Sequence, residues 1–274
     1  MTRRSGKAFD RHHDWARRRN GGVIDDTEAQ AHAAADASGA NLVLLPGLDG
    51  TDVFLRPLVA ALPSWVNPIV VTYPDSVASV LYQNLLAQVI DAVADLPLYH
   101  VLGWSFSGPL ALMLASSRPR NVRSVILAAS FVRPPRPWLA KTAFATARTP
   151  VVWGLRAARR LPVLVRPPDS AERRDKFETW TRVSATTVAG RLRAISNVDV
   201  RNELRVCPVP LMCLASSRDQ VVPARCQTQI VAARADVQVA TIDGEHQAMY
   251  TNPTAAARAI TAFITRSRCR TRHI

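Results

Sequence analysis

The sequence predicts an α/β protein: a doubly wound, mostly parallel sheet with an inserted helical cap. Three observations predict it. Short, nearly continuous apolar runs recur along the chain and suit strands buried on both faces. Stretches with apolar residues at helical spacing separate those runs. The alternation stops between about 132 and 205, where prolines punctuate basic, helix-leaning pieces, and then resumes. A chain of 274 residues with 48% hydrophobic content has room for one such domain plus an insertion.

Residues 1–39 hold many arginines, a Gly-Gly and an alanine-rich acidic stretch, with little large apolar surface. Such a segment reads as a disordered basic tail. The first strand falls on Asn41-Leu42-Val43-Leu44-Leu45 and runs into the turn-rich Pro46-Gly47-Leu48-Asp49-Gly50-Thr51. Residues 57–62 read as a short helix and 68–73 as the second strand, and 77–96 repeats apolar residues at helical spacing. A third strand over 99–102 and a fourth over 122–129 flank an apolar helix. After the cap, strands are expected over 209–215 and 237–242, with a helix over 224–234 between them. A closing helix opens at Asn252-Pro253 and ends near Thr265, followed by a basic tail over 267–274. The domain boundaries are thus 40–131 and 206–266 for the core and 132–205 for the cap.

The formal net charge is +14, and arginine supplies nearly all of the 35 basic residues. Nucleic acid is the reflex partner for such a chain. No basic patch is interleaved with aromatics in a nucleic-acid motif, so that class is set aside. Cys207, Cys213, Cys226 and Cys269 have neither metal-ligand spacing nor the density of a disulfide framework. The N-terminus lacks an apolar signal core, and a reducing cytoplasm is the expectation. Neither a metal nor an organic cofactor is indicated.

Chemistry concentrates in Gly103-Trp104-Ser105-Phe106-Ser107-Gly108. A strand, a tight glycine-flanked turn holding a serine, and a buried helix form the layout of a nucleophile elbow. The turn strains Ser105 and exposes its hydroxyl, while the helix N-terminus supplies N–H groups to a developing oxyanion. Ser107 is the rival serine, but glycines would then be needed at positions held by Ser105 and Pro109. It also occupies the place where the usual G-x-S-x-G pattern has its last glycine.

Three more loops complete a pattern. Leu-Pro-Gly-Leu-Asp-Gly-Thr follows the first strand, Arg218-Asp219-Gln220-Val221-Val222-Pro223 a late strand, and Gly244-Glu245-His246 the last one. Together with the elbow they resemble the α/β-hydrolase superfamily over about 41–265, and within it the small capped serine carboxylesterases. The resemblance implies Ser105 as nucleophile, His246 as general base and Asp219 as the acid that orients it. His246 is favoured by elimination too, since His12, His13, His32 and His273 lie near the ends and His100 at the far end of its strand. Asp219 also reads as a turn or helix-capping aspartate, and the two roles are compatible. Backbone N–H groups of Leu48 and Phe106 are the implied oxyanion hole. Pro46 stands where the family usually has histidine. Asp49 and Asp52 read as turn and capping residues. The family sheet normally begins with two further strands, which residues 1–39 do not supply in any recognisable pattern.

The expected activity is hydrolysis of a small carboxylic ester or thioester through an acyl-enzyme. An acyltransferase using the same site, or a silent hydrolase-like binding protein, are the alternatives. Trp138, Phe144, Trp153, Phe177 and Trp180 are spaced in the cap among Arg148, Arg156, Arg159 and Arg160. That pattern fits either a solvated basic surface over an ordinary apolar acyl pocket or an outer face for an acyl-carrier protein or an anionic membrane surface.

Overall fold

The structure is a computed structural model that describes residues 39–118, 120–136 and 170–271, without the side chains of 269–271. Its centre is a sheet of six strands: β1 (Ala40–Leu45), β2 (Val66–Val70), β3 (Tyr99–Trp104), β4 (Val122–Ala128), β5 (Leu211–Ser216) and β6 (Gln238–Ile242). Their spatial order is β2-β1-β3-β4-β5-β6, and every neighbouring pair is parallel. The six apolar runs are therefore the six strands. Parallel strands need crossovers, and the helices that supply them cover both faces.

Side-chain alternation divides the core accordingly. Val43, Leu45, Val101, Val125, Leu127, Leu211 and Cys213 point to one face. There they meet α2 (Tyr82–Ala92) and α3 (Gly108–Ser117) through Leu85, Val89, Leu110 and Leu114. Leu42, Leu44, Leu102, Ile126, Met212 and Leu214 point to the other face. That face is closed by α1 (Arg56–Ala61), α8 (Ala248–Thr251) and α9 (Pro253–Thr271), through Leu58, Met249, Ile260 and Phe263. Between β4 and β5 lie α4 (Ala171–Arg182), α5 (Ala185–Ser196) and α6 (Arg201–Val206), and α7 (Ala224–Ala233) links β5 to β6.

Several boundaries differ from the sequence reading. The stretch 77–96 is not one helix: a 3₁₀ turn over Val77–Ser79 precedes α2, with Leu81 extended between them. Hydrogen bonding explains the break, because buried Ser79 turns its hydroxyl to Ser76 and Gln88 and its carbonyl to Arg191. β2 begins before Pro68, which the pattern placed at its start. Among the described residues β2 is an edge strand paired only with β1, and an edge tolerates a proline. The closing helix runs to Thr271, past Thr265, because Ser267 is still buried and bonds Phe263 O while Arg268 donates to Gly39 O. Helices α4 and α5 and most of α6 fall within 132–205, the stretch read as the cap. Its stretch 137–169, with Trp138, Phe144, Trp153, Arg148, Arg156, Arg159 and Arg160, lies outside the described residues, as does the tail 1–38. Among the described residues, no helix is long and apolar enough to cross a membrane, and Cys207, Cys213 and Cys226 are buried and unpaired.

Candidate active site

β1 and β3 are neighbours, yet the connections leaving them run to opposite sides of the sheet, so a crevice opens beyond their carboxyl ends. Ser105 stands there. It directly follows β3, begins the 3₁₀ turn Ser105–Ser107 that runs into α3, and has φ 51, a left-handed conformation costly for a side-chain-bearing residue. Glycines make the turn possible. A Cβ at Gly103 would collide with the Ser107 carbonyl, and one at Gly108 with the Ser130 side chain. The close approach thus falls at Gly108 rather than at 107, and a serine fits at 107.

The structure brings the three predicted side chains together. His246 Nε2 is 2.9 Å from Ser105 Oγ, and His246 Nδ1 is 2.8 Å from Asp219 Oδ2. Asp219 has a 5% exposed side chain and lies in the loop after β5, where its Oδ1 accepts the Val221 and Val222 N–H groups at 2.8 Å each. The turn-forming and histidine-facing roles therefore coexist, one on each oxygen. Trp104 stacks beside the imidazole, with ring centroids 6.5 Å apart. His100, by contrast, is buried at the opposite end of β3 against Ser124 Oγ.

The two backbone groups assigned to the oxyanion hole can be judged from the carbonyls that share their peptide planes. In a trans peptide the N–H points opposite to the C=O. The Ser105 carbonyl, paired with the Phe106 N–H, accepts Ser130 Oγ at 2.6 Å and the Gly108 N–H. The Gly47 carbonyl, paired with the Leu48 N–H, accepts the Gly50 N–H at 3.0 Å across a turn. Both carbonyls are thus engaged on the protein side. Leu48 and Ser105 both line one cavity, and Phe106 is fully buried beneath it. That cavity has a volume of about 300 Å³ and is mostly apolar, with Phe54, Phe131, Leu192, Ile195, Val221 and Val222 in its wall.

Around this, further residues brace the elbow and the loop after β1, and two of them, Ser130 and Arg191, were not singled out by the motifs. Ser107 is fully buried; its hydroxyl donates to the Pro46 carbonyl and lies 2.6 Å from Tyr73 Oη. Ser130 holds the elbow carbonyl as described. Arg191, fully buried on α5, bonds the carbonyls of Leu48 and Asp49. One sequence signal pointed to Arg191: Gly190, a glycine inside a helical stretch, which marks close approach. A Cβ there would strike Val80. Asp49 is a turn residue as expected, accepting Thr51 N–H and Oγ; burial raises its carboxyl above the usual range. Asp52 departs from expectation. It makes no capping bond and instead pairs with Arg56 at 2.8 Å and Arg182 at 2.9 Å, because α4 brings an arginine over it. Among the described residues no group of three or more His, Cys, Asp and Glu could hold a metal ion.

Residues 42–259 match the model of the alpha/beta hydrolase family. The chain belongs to that family. Solved structures agree in fold: a hydrolase from Pseudomonas aeruginosa PA01 superposes with TM-score 0.68 at 19% identity, over 83% of this chain and 91% of the other. The enol-lactonase from Burkholderia xenovorans LB400 gives TM-score 0.68 and 19% identity, over 83% and 92%. The esterase EaEST from Exiguobacterium antarcticum gives 0.67 and 16%, again over 83% and 92%. In sequence, this chain is 34% identical over 112 residues to polyketide synthase ThaQ of Burkholderia thailandensis, covering 36% of this chain and only 5% of that much longer protein.

Proposed function

We propose that this hydrolase cleaves carboxylic esters or thioesters through an acyl-enzyme formed on Ser105. The observation that carries the reading is the unbroken hydrogen-bond chain from Asp219 through His246 to a strained serine facing an apolar cavity. His246 Nε2 takes the Ser105 proton as Oγ attacks the acyl carbon, and returns it to the departing alcohol or thiol. Asp219 holds the Nδ1 proton, which fixes the tautomer and stabilises the imidazolium. Leu48 and Phe106 N–H groups receive the negative charge that develops on the acyl oxygen. Water activated by the same histidine then releases the acid. The apolar wall suits an acyl chain more than a sugar or a peptide.

A fluorophosphonate probe tests this, since it labels only an activated serine. Wild type should label; Ser105→Ala should neither label nor hydrolyse p-nitrophenyl butyrate, with an unchanged melting curve; Ser107→Ala should still label. Labelling that persists in Ser105→Ala sinks the assignment. His246→Ala should cost as much turnover as Ser105→Ala, roughly 10⁴-fold or more, because the members of such a relay act as a unit.

A further inference from the structure

The oxyanion loop is gripped from outside by a side chain of the cap. We infer that Arg191 is a positioning residue for the oxyanion hole, holding the turn that displays the Leu48 N–H. The inference rests on the proposal that Leu48 and Phe106 are the donors.

Arg191 lies on α5 and is completely shielded from solvent. An arginine keeps its charge there only if its donors are satisfied. Every bond it makes is to a backbone carbonyl. Nε donates to Ser79 O at 3.0 Å, Nη2 to Pro74 O at 3.2 Å, and Nη1 to Leu48 O at 3.0 Å and Asp49 O at 2.7 Å. The guanidinium also sits 5.5 Å from the centre of the Tyr73 ring. Leu48 and Asp49 are the two central residues of the turn closed by Gly50 N–H to Gly47 O. Fixing both of their carbonyls fixes the turn, and with it the peptide plane that carries the Leu48 N–H. Gly50 has φ +75, and a Cβ there would come within 2.5 Å of Arg191 Nη1, so the loop is shaped to the guanidinium. On the other side Ser107 holds the Pro46 carbonyl and Tyr73 N–H holds the Gly50 carbonyl. Each carbonyl from Pro46 to Gly50 is therefore engaged away from Ser105. Arg191 does not line the cavity, so it acts on the reaction only through the loop.

An oxyanion donor is used in the transition state and far less in the ground state, so loss of its placement lowers kcat and spares KM. Arg191→Met keeps the volume of the stem and removes the donors. We expect kcat for p-nitrophenyl butyrate to fall about 10- to 100-fold, short of the loss of a donor outright, with KM within about twofold. The affinity of an alkyl trifluoromethyl ketone, which forms a tetrahedral oxyanion on serine, should fall by a similar factor. Added guanidinium ion should restore part of kcat in Arg191→Ala but not in wild type. Gly50→Ala, which pushes the guanidinium aside, should give the same split, and the double variant should be no worse than the poorer single one. If Arg191→Met does not fold, Gly50→Ala and Arg191→Lys are read in the same way. Variants with wild-type kcat and ketone affinity overturn the inference, as does a fall in kcat that leaves ketone affinity untouched. If wild type itself neither labels with fluorophosphonate nor binds the ketone, the proposed function has failed instead.

Discussion

Ser107 shows how one atom changes the reading of a motif. The family pattern puts glycine at this place, yet the hydroxyl here bonds Pro46 O and Tyr73 Oη inside a fully buried site. Removing it leaves the Tyr73 hydroxyl without that partner, a loss of about 1–3 kcal/mol. Ser107→Ala should therefore lower unfolding stability by that amount in urea titrations while fluorophosphonate labelling persists; equal stability would mean another group takes over the bond. His100 is a second buried group with a measurable consequence. Burial first, then the charges of Arg268 and Arg123, push its pKa down from its ordinary value near 6.5 to about 4. The folded state thus keeps His100 neutral where the unfolded chain would protonate it. Its contribution is fully present above pH 6.5 and is lost as pH falls towards 4, on the order of 3 kcal/mol in total. Urea unfolding at pH 7.5 and 4.5 should show a smaller difference in His100→Gln than in wild type. An identical difference would place the acid sensitivity elsewhere.

Elements were legible in the sequence where one physical cause dominated. The inner strands β1, β3, β4 and β5 appeared because parallel strands covered on both faces must be nearly apolar throughout, as in Leu42-Val43-Leu44-Leu45. The partly exposed edge strands β2 and β6 appeared through their β-branched residues. The three loops of the site appeared because each directly follows such a strand, which is where the fold collects its chemistry. What periodicity could not show was hydrogen bonding between distant segments. Beyond the glycine that precedes it, nothing local separates Arg191 from the other arginines of a basic stretch, since its partners are 112 to 143 residues away. The break before α2 has the same origin, because the Ser79 carbonyl is taken by that arginine. Asp52 was misread for a related reason: its partner Arg182 belongs to the cap. That contact is part of a network in which Arg56 meets Glu178 through two bonds of 2.8 and 3.0 Å and Arg182 meets both Asp52 and Glu178. Its side chains are 32–48% exposed, so screening keeps each pair below about 1 kcal/mol. Glu178→Ala should lower stability by less than that in urea. Asp75 is a better anchor of the cap, since it takes both the N–H and the hydroxyl of Ser184 at the start of α5. Asp75→Ala should cost about 1–2 kcal/mol; a smaller effect than that of Glu178→Ala would reverse this ranking.

At the scale of the whole molecule the governing quantity is charge. A net charge of +14 on 274 residues gives a long-range field that no single contact reports. Such a field raises the encounter rate of anionic partners and leaves neutral ones alone. It decays over about 8 Å at physiological ionic strength, so salt separates steering from pocket chemistry. The cavity beside Ser105 is apolar, and a small neutral ester needs nothing from the field to enter it. An ester delivered on an acidic carrier protein or from an anionic bilayer would use it, and we propose that the arginines of the sequence between β4 and β5 contribute to such docking. The prediction concerns a ratio. Raising NaCl from 20 to 300 mM should lower kcat/KM for a carrier-borne acyl thioester about tenfold or more, while kcat/KM for p-nitrophenyl butyrate stays within about twofold. Charge reversal at Arg156, Arg159 and Arg160 should reproduce the high-salt behaviour at low salt, and with the carrier substrate alone. If the two substrates respond alike to salt, or if the reversed variant matches wild type on both, the positive charge keeps the protein dispersed and takes no part in choosing its substrate.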